Sequence, residues 1–398
     1  MFKPTQMDSN EFNQIITQVH QIGKDIVAPN AQDVDEKARF PKEGIEALKG
    51  LKLLSSYVPE SLGGMGMSIE QVSKVCEVLG HYCGSTAMIY AMHKIQVACI
   101  VHHCLDENYY QGYVDKLVSE QRLIASATTE IGIGGDLLSS FCAVEATDGN
   151  FELEKKAPVI SYAEDADDLM ITARRNPDAA KSDQVGVLVS KEQYEVEPIS
   201  DWDTLGFRGT CSSGFVVKAK ASVEQISPVS FTEVLSQTMH PYSHIVWASL
   251  WSGIAASAVD KARKFVKNAM RKNPNMPPIS SVRLAEVETL LYDMKNNVTA
   301  SIIDYDKLLA KGDTDAFTNF GFAIRVNNLK IKSSQLLIDI VGQSMMICGI
   351  ASYRNNSDMT LGRHIRDAYG ASLMVNNDRI MMHNSSLVLM HKEEAGRV

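Results

Sequence analysis

The chain lacks the marks of several large protein classes. It has no run of 18 apolar residues, so no segment reads as a membrane-spanning helix and no membrane partner is expected. It has no tract of five or more basic residues and a net charge of −9, which argues against nucleic acid as the main partner. Its seven cysteines (76, 83, 99, 104, 142, 211, 348) include no CxxC pair. Their odd number and scatter fit reduced thiols better than a disulfide framework or a zinc site, so no metal is expected. No charged-then-apolar signal segment opens the chain, and the expected location is cytoplasmic. No G-x-G-x-x-G opens a βαβ unit, so a Rossmann reading has no support. What is present is ordinary globular composition, 45% apolar and 22% charged over 398 residues, with room for two or three domains.

Three textures follow one another. Phe12, Ile15, Ile16, Val19, Ile22 and Ile26 recur at helical spacing, and Pro29 predicts the end of that helix. Pro41 opens a second helix. Ser68 and Gln71 form a capping-box pattern before long helical stretches broken at Gly84. Residues 1–122 therefore read as all-helical. From residue 123 to 228, short apolar runs alternate with Gly, Asp and Asn turns, the texture of a β-sandwich or barrel. Residues 229–398 return to helix, with segments at about 240–272, 281–311, 314–350 and 362–390 that predict a four-helix bundle. The fold class is α+β multidomain, in the order α, β, α.

The stretch IASATTEIGIGGD (124–136) stands at the first change of texture. A β-prone run ends at Thr128 and Thr129, and Gly132, Gly134 and Gly135 follow. Such glycines let a backbone approach a ligand closely. The same pattern is also that of a plain polar turn.

Several segments together resemble the acyl-CoA dehydrogenase family, a flavoprotein group that includes related flavin monooxygenases. TEIGIGGD (129–136) has the spacing of its TEPxAGSD motif, LGFRGTCSSG (205–214) is similar to LGMRGTxSxD, and RHIRDA (363–368) is similar to RLYRDAK. PESLGGMGMS and the N-terminal helical region also fit. The resemblance implies FAD between the β domain and the bundle, partly held by a neighbouring subunit of a homotetramer or homodimer. It places Thr128, Thr129 and Ser161 against the flavin, Gly135 in the loop beside the substrate tail, Arg271 near the pyrophosphate and Gly349 along the cofactor of another subunit. It departs from the family at Val159, Met346 and Ile350, and around Arg271.

The resemblance also implies α,β-dehydrogenation of an acyl thioester, carried by coenzyme A or an acyl carrier protein, with a glutamate base. Both family positions for that glutamate lack a base: one count reaches Val375 and Asn376, the other Ser243. Asp378, His244 and His93 are the replacement candidates. Asp378 also fits an ion pair with Arg379, His244 the place of a family arginine, and His93 a satisfied core histidine. Met88, Met92, Trp247 and Trp251 are candidate acyl-cavity residues, or plain core. Two other readings need no glutamate: a reduced-flavin-dependent monooxygenase, and a non-catalytic flavin- or acyl-binding partner subunit. An electron-transfer or reductase partner belongs with the catalytic readings.

Overall fold

The computed structural model describes residues 6–272, 278–312 and 314–392. Helix α1 (Ser9–Ile22) begins where the Asp8 carboxylate accepts from the Asn10 N–H at 2.8 Å. The chain does not stop at Pro29. It passes through a π-helical turn (Gly23–Val27) into α2 (Ala28–Glu36). Pro29 sits in the first turn of α2, where a missing N–H is tolerated. Helix α3 (Lys42–Gly50) follows Pro41. The Ser68–Gln71 capping box is present at the start of α4 (Ile69–Tyr82), with both of its reciprocal bonds formed. Extended Cys83 separates α4 from α5 (Gly84–His103), which is buried on nearly every face, and α6 (Asn108–Glu120) completes this part.

Among the described residues the strands form two four-stranded sheets. They are β1 (Ile124–Ala127), β2 (Glu145–Thr147), β3 (Asn150–Ala157), β4 (Asp168–Arg174), β5 (Gln184–Ser190), β6 (Tyr194–Ser200), β7 (Gly214–Ser222) and β8 (Ile226–Ser230). One sheet has the order β1-β4-β5-β8, with β1 parallel to β4 at its edge; the other is β2-β3-β7-β6 and antiparallel. Strand β3 alternates exposed and buried residues, as a sheet with one solvated face requires. Strands β4 and β5 are almost wholly buried.

The chain then enters α7 (Phe231–Val234), a second π-helical turn (Leu235–Met239), and the long helices α8 (His240–Lys272), α9 (Ser280–Lys311) and α10 (Phe320–Cys348). After the short α11 (Ile350–Tyr353), the single helix expected over about 362–390 is two: α12 (Gly362–Leu373) and α13 (Asn377–Met390). The break has a local cause. Val375 has φ +45°, a left-handed conformation that a β-branched side chain strongly disfavours, and the Asn376 side chain caps the next helix.

Helices α4 and α8 touch backbone to backbone. A Cβ on Gly80 would lie 2.1 Å from the Leu250 carbonyl oxygen, and one on Gly253 would lie 2.0 Å from that of Glu77. This mutual contact locks the N-terminal helices onto the bundle. Gly253→Ala is expected to lower stability by about 1–3 kcal/mol, the usual cost of overpacking. Gly342→Ala, a helical position with open space around it, is expected to leave stability unchanged or slightly raised. Urea unfolding monitored by circular dichroism measures both.

Candidate active site

A cavity of about 630 Å³ opens where the helical domain, the sheets and the bundle meet. That size suits a small-molecule ligand. Met88 and Met92 of α5 line one side, and Thr128, Thr129, Ser161 and Ser212 of the β domain another. Met239, His240, Ser243, His244 and Trp247 line a third, and Tyr369, Met374 and Val375 close the remainder. Of the acyl-cavity candidates, Trp251 is the one that does not line it; it is fully buried in the core.

The TTE segment is fixed from behind. Thr172 Oγ1 donates to the Thr128 carbonyl at 3.2 Å, and Lys155 Nζ donates to the Thr172 carbonyl at 2.6 Å. Lys155 is fully buried, and burial holds its amine below the usual lysine range. Its nearest acid is Glu130, at 3.8 Å. Glu130 itself accepts from Ser140 Oγ, the Phe141 N–H and the Cys142 N–H at 2.7, 3.1 and 2.8 Å. Glutamate in this motif thus closes the glycine loop on itself. Thr129 Oγ1 donates to the Val159 carbonyl at 3.3 Å, and Ser161 Oγ meets Ser212 Oγ at 2.8 Å. The expected cofactor-facing residues Thr128, Thr129 and Ser161 therefore stand on one wall.

The other expected cofactor residues stand elsewhere. Gly135 (φ +83°) lies outside the cavity, packed under the Arg379 guanidinium. Arg271 is exposed in the last turn of α8, and residues 273–277 of its segment lie outside the described residues. Gly349 ends α10 at φ +60° with open space around it.

The three base candidates separate sharply. His93 is a core histidine: its Nδ1 accepts from the Ile124 N–H at 3.1 Å and its Nε2 donates to the Leu54 carbonyl at 2.8 Å. Burial, and then neighbouring Lys94, push its pKa down to about 3. With both nitrogens engaged, it pins α5 to β1 and does not line the cavity. Asp378 is exposed in the first turn of α13 and points no carboxylate into the cavity, because the Val375 turn carries the chain past the mouth. His244 does line the cavity. Its Nδ1 donates to the Val326 carbonyl at 3.1 Å, which leaves Nε2 as the lone-pair nitrogen. Burial holds it well below the usual histidine pKa, so it is neutral at physiological pH.

Sequence reasoning missed His240, which lines the same wall with its ring centroid 4.5 Å from that of His244. The i, i+4 spacing of the two histidines was available in the sequence; the π-helical turn before His240, which fixes the direction they face, was not. Among the described residues no aspartate or glutamate lines the cavity, and its one arginine, Arg366, is paired with Asp35. Gly134 and Asp136, on either side of Gly135 in the glycine loop, and Arg208 and Gly209 of the LGFRGTCSSG segment also stand outside the cavity.

The comparisons agree with this architecture. Residues 9–121 match the acyl-CoA dehydrogenase N-terminal domain. Over 349 residues the chain is 25% identical to the cyclohex-1-ene-1-carbonyl-CoA dehydrogenase of Geobacter metallireducens, covering 86% of this chain and 88% of that one. The FMN-bound TdsC of Paenibacillus sp. A11-2 superposes with a TM-score of 0.83 at 16% identity, covering 96% and 99% of the two chains. Butyryl-CoA dehydrogenase of Megasphaera elsdenii gives 0.81 at 17%, with the same coverage.

Glu130→Ala strands the Phe141 and Cys142 N–H groups and removes the counter-charge nearest the buried Lys155 amine, and is expected to cost about 3–5 kcal/mol, as breaking buried pairs does. Lys155→Met leaves Glu130 with three donors and is expected to cost clearly less. Denaturant unfolding of the two variants side by side reads the difference.

Proposed function

We propose that this chain, which carries the acyl-CoA dehydrogenase N-terminal domain on that family's fold, is a flavin-dependent oxidoreductase that desaturates an apolar acyl thioester. The observation that carries this reading is the composition of the cavity: an apolar chamber with hydroxyls on one wall and two imidazoles on another. The hydroxyl wall fits a flavin ring. Thr128, Thr129 and Ser161 stand beside β1, an edge strand whose outer backbone groups are free of sheet pairing. FAD is the expected form. When bound, it supplies the two-electron acceptor. Arg271 and Gly349 are reserved for its phosphate end through a second copy of the chain. Exposed Met346, Ile350 and Tyr353 beside Gly349 support assembly there, as a homodimer or homotetramer.

The chain's own residues then have two tasks. Met88, Met92 and Trp247 give an acyl chain an apolar bed. The His240–His244 pair takes the proton from the carbon next to the carbonyl, replacing the carboxylate that the cavity lacks. Positioned bases of this kind are typically worth about 10²–10⁴-fold. Coenzyme A and an acyl carrier protein both leave the charged part of the thioester outside the chamber, and an electron-transfer partner re-oxidises the flavin.

One observation favours a second reading. Reduced-flavin-dependent monooxygenation has no carbon-bound proton to remove at the start, and a carboxylate-free wall suits it.

The deciding experiment records the visible spectrum of the flavin-loaded protein under anaerobic conditions and adds acyl thioesters. Bleaching without a reductant is the expected result. A flavin that stays oxidised with every coenzyme A and carrier-protein thioester, yet supports oxygen incorporation with a reductase, gives the reaction to the second reading. Replacing both histidines with glutamine is expected to slow bleaching about 10²–10⁴-fold with flavin content unchanged. Because burial lowers both histidine pKa values, the base form persists as pH falls. The rate is expected to stay level down to pH about 6.5 and to drop only below it.

A further inference from the structure

The two cavity histidines are not equivalent. His244 is the more deeply buried, and its Nδ1 donates to the Val326 carbonyl of α10, so it gives up more solvation on gaining a charge. His240 is partly exposed to the cavity, and its Nε2 lies 2.8 Å from Asn327 Oδ1. Asn327 Nδ2 donates to Asn384 Oδ1 at 2.8 Å, and Asn384 Nδ2 donates to Asn328 Oδ1 at 3.0 Å. Three amides from α10 and α13 thus form a ladder from the cavity wall to exposed Asn328. The Asn327 and Asn384 amide nitrogens are each spent on the next oxygen. The ladder therefore presents an acceptor to His240, keeps the proton on Nε2 and leaves Nδ1 as its lone pair. An acceptor at Nε2 also steadies the ring when Nδ1 gains a proton.

Resting on the desaturation reading, we propose that His240 is the proton-accepting member of the pair and that Asn327, backed by Asn384 and Asn328, is the residue that positions it. In the step, the substrate C–H bond breaks and its proton bonds to His240 Nδ1. The electron pair left on that carbon forms the new double bond as the neighbouring carbon loses a hydride, for which a bound flavin would be the two-electron acceptor. His244 stays neutral. Two charged rings with centroids 4.5 Å apart oppose each other, so the pair holds one proton at a time. The charged or titratable groups facing His240 are His244 on its own helix and His383 on α13, while Lys330 on α10 faces His244. His244 and His383, when protonated, oppose a charge on His240, and the Asn327 oxygen works against that opposition.

The ladder makes a prediction independent of turnover. In histidine-labelled protein without flavin, nitrogen NMR is expected to show His240 with a pyrrole-type Nε2 and a pyridine-type Nδ1, assigned by the signal lost in His240→Gln. The reversed pattern overturns the proposal. Asn327→Asp places a carboxylate on Nε2 and is expected to raise the His240 titration midpoint by about one unit or more. The acid limb of thioester-driven bleaching is expected to move with it. A His240 midpoint that rises while the acid limb stays fixed overturns the assignment. So does a His240→Gln protein that bleaches within about threefold of the parent while His244→Gln loses about a hundredfold. If no thioester bleaches the parent protein, the desaturation reading fails by itself, and the assignment of His240 as its base falls with it; the NMR pattern then still decides whether the ladder sets the tautomer.

Discussion

A single buried carboxylate ties the three parts of this protein together. Asp35, at the end of α2, is almost fully buried and receives both terminal nitrogens of Arg366 from α12. Its backbone carbonyl accepts from Arg208, in the loop after β6, at 2.8 Å. One residue later, Asp367 accepts from the Phe207 N–H at 2.6 Å. Burial raises the Asp367 pKa to about 6. The helical domain, the β domain and the bundle thus meet at adjacent polar bonds. The cavity is the space they enclose, so its shape depends on the joint. An isolated surface pair would contribute little, but here desolvated groups have no water to turn to, and any separation of the parts leaves charges unpaired.

Much of this was legible in the sequence because it is local. The Ser68–Gln71 box, the break at Gly84 and the change of texture near residue 123 are set by neighbours within a few positions. The segments around Leu205 and Asp367 could be recognised singly, and the structure shows why both exist: they bond to each other across 160 residues of chain. The three replacement bases could not be ranked in the same way. His93 and His244 both lie on apolar helical stretches. What separates them is the strand N–H and loop carbonyl that saturate one ring, and the cavity that faces the other.

Two departures share a physical origin in irregular turns. The π-helical turn at Leu235–Met239 adds a residue to one helical turn and rotates everything after it. That rotation brings His240 to the wall. The left-handed Val375 divides a helix that periodicity joins, and it carries Asp378 away from the mouth. Lys330, buried and lowered to a pKa of about 7, donates to the Val375 carbonyl and to Asn377 Oδ1, both at 2.7 Å. A strained turn persists where its surroundings over-determine it, and these bonds do so.

Among the described residues the chamber wall carries neither a carboxylate nor an unpaired cation, and such a wall sorts what enters. An ionised group that entered would leave its hydration behind and find no counter-ion, a transfer that is costly without compensation. A free fatty acid carries such a group at the end of its chain; the same chain joined through a neutral ester does not. On the desaturation reading, such a wall discriminates an activated acyl group from its hydrolysed product by solvation alone, without a single bond to the atoms that differ.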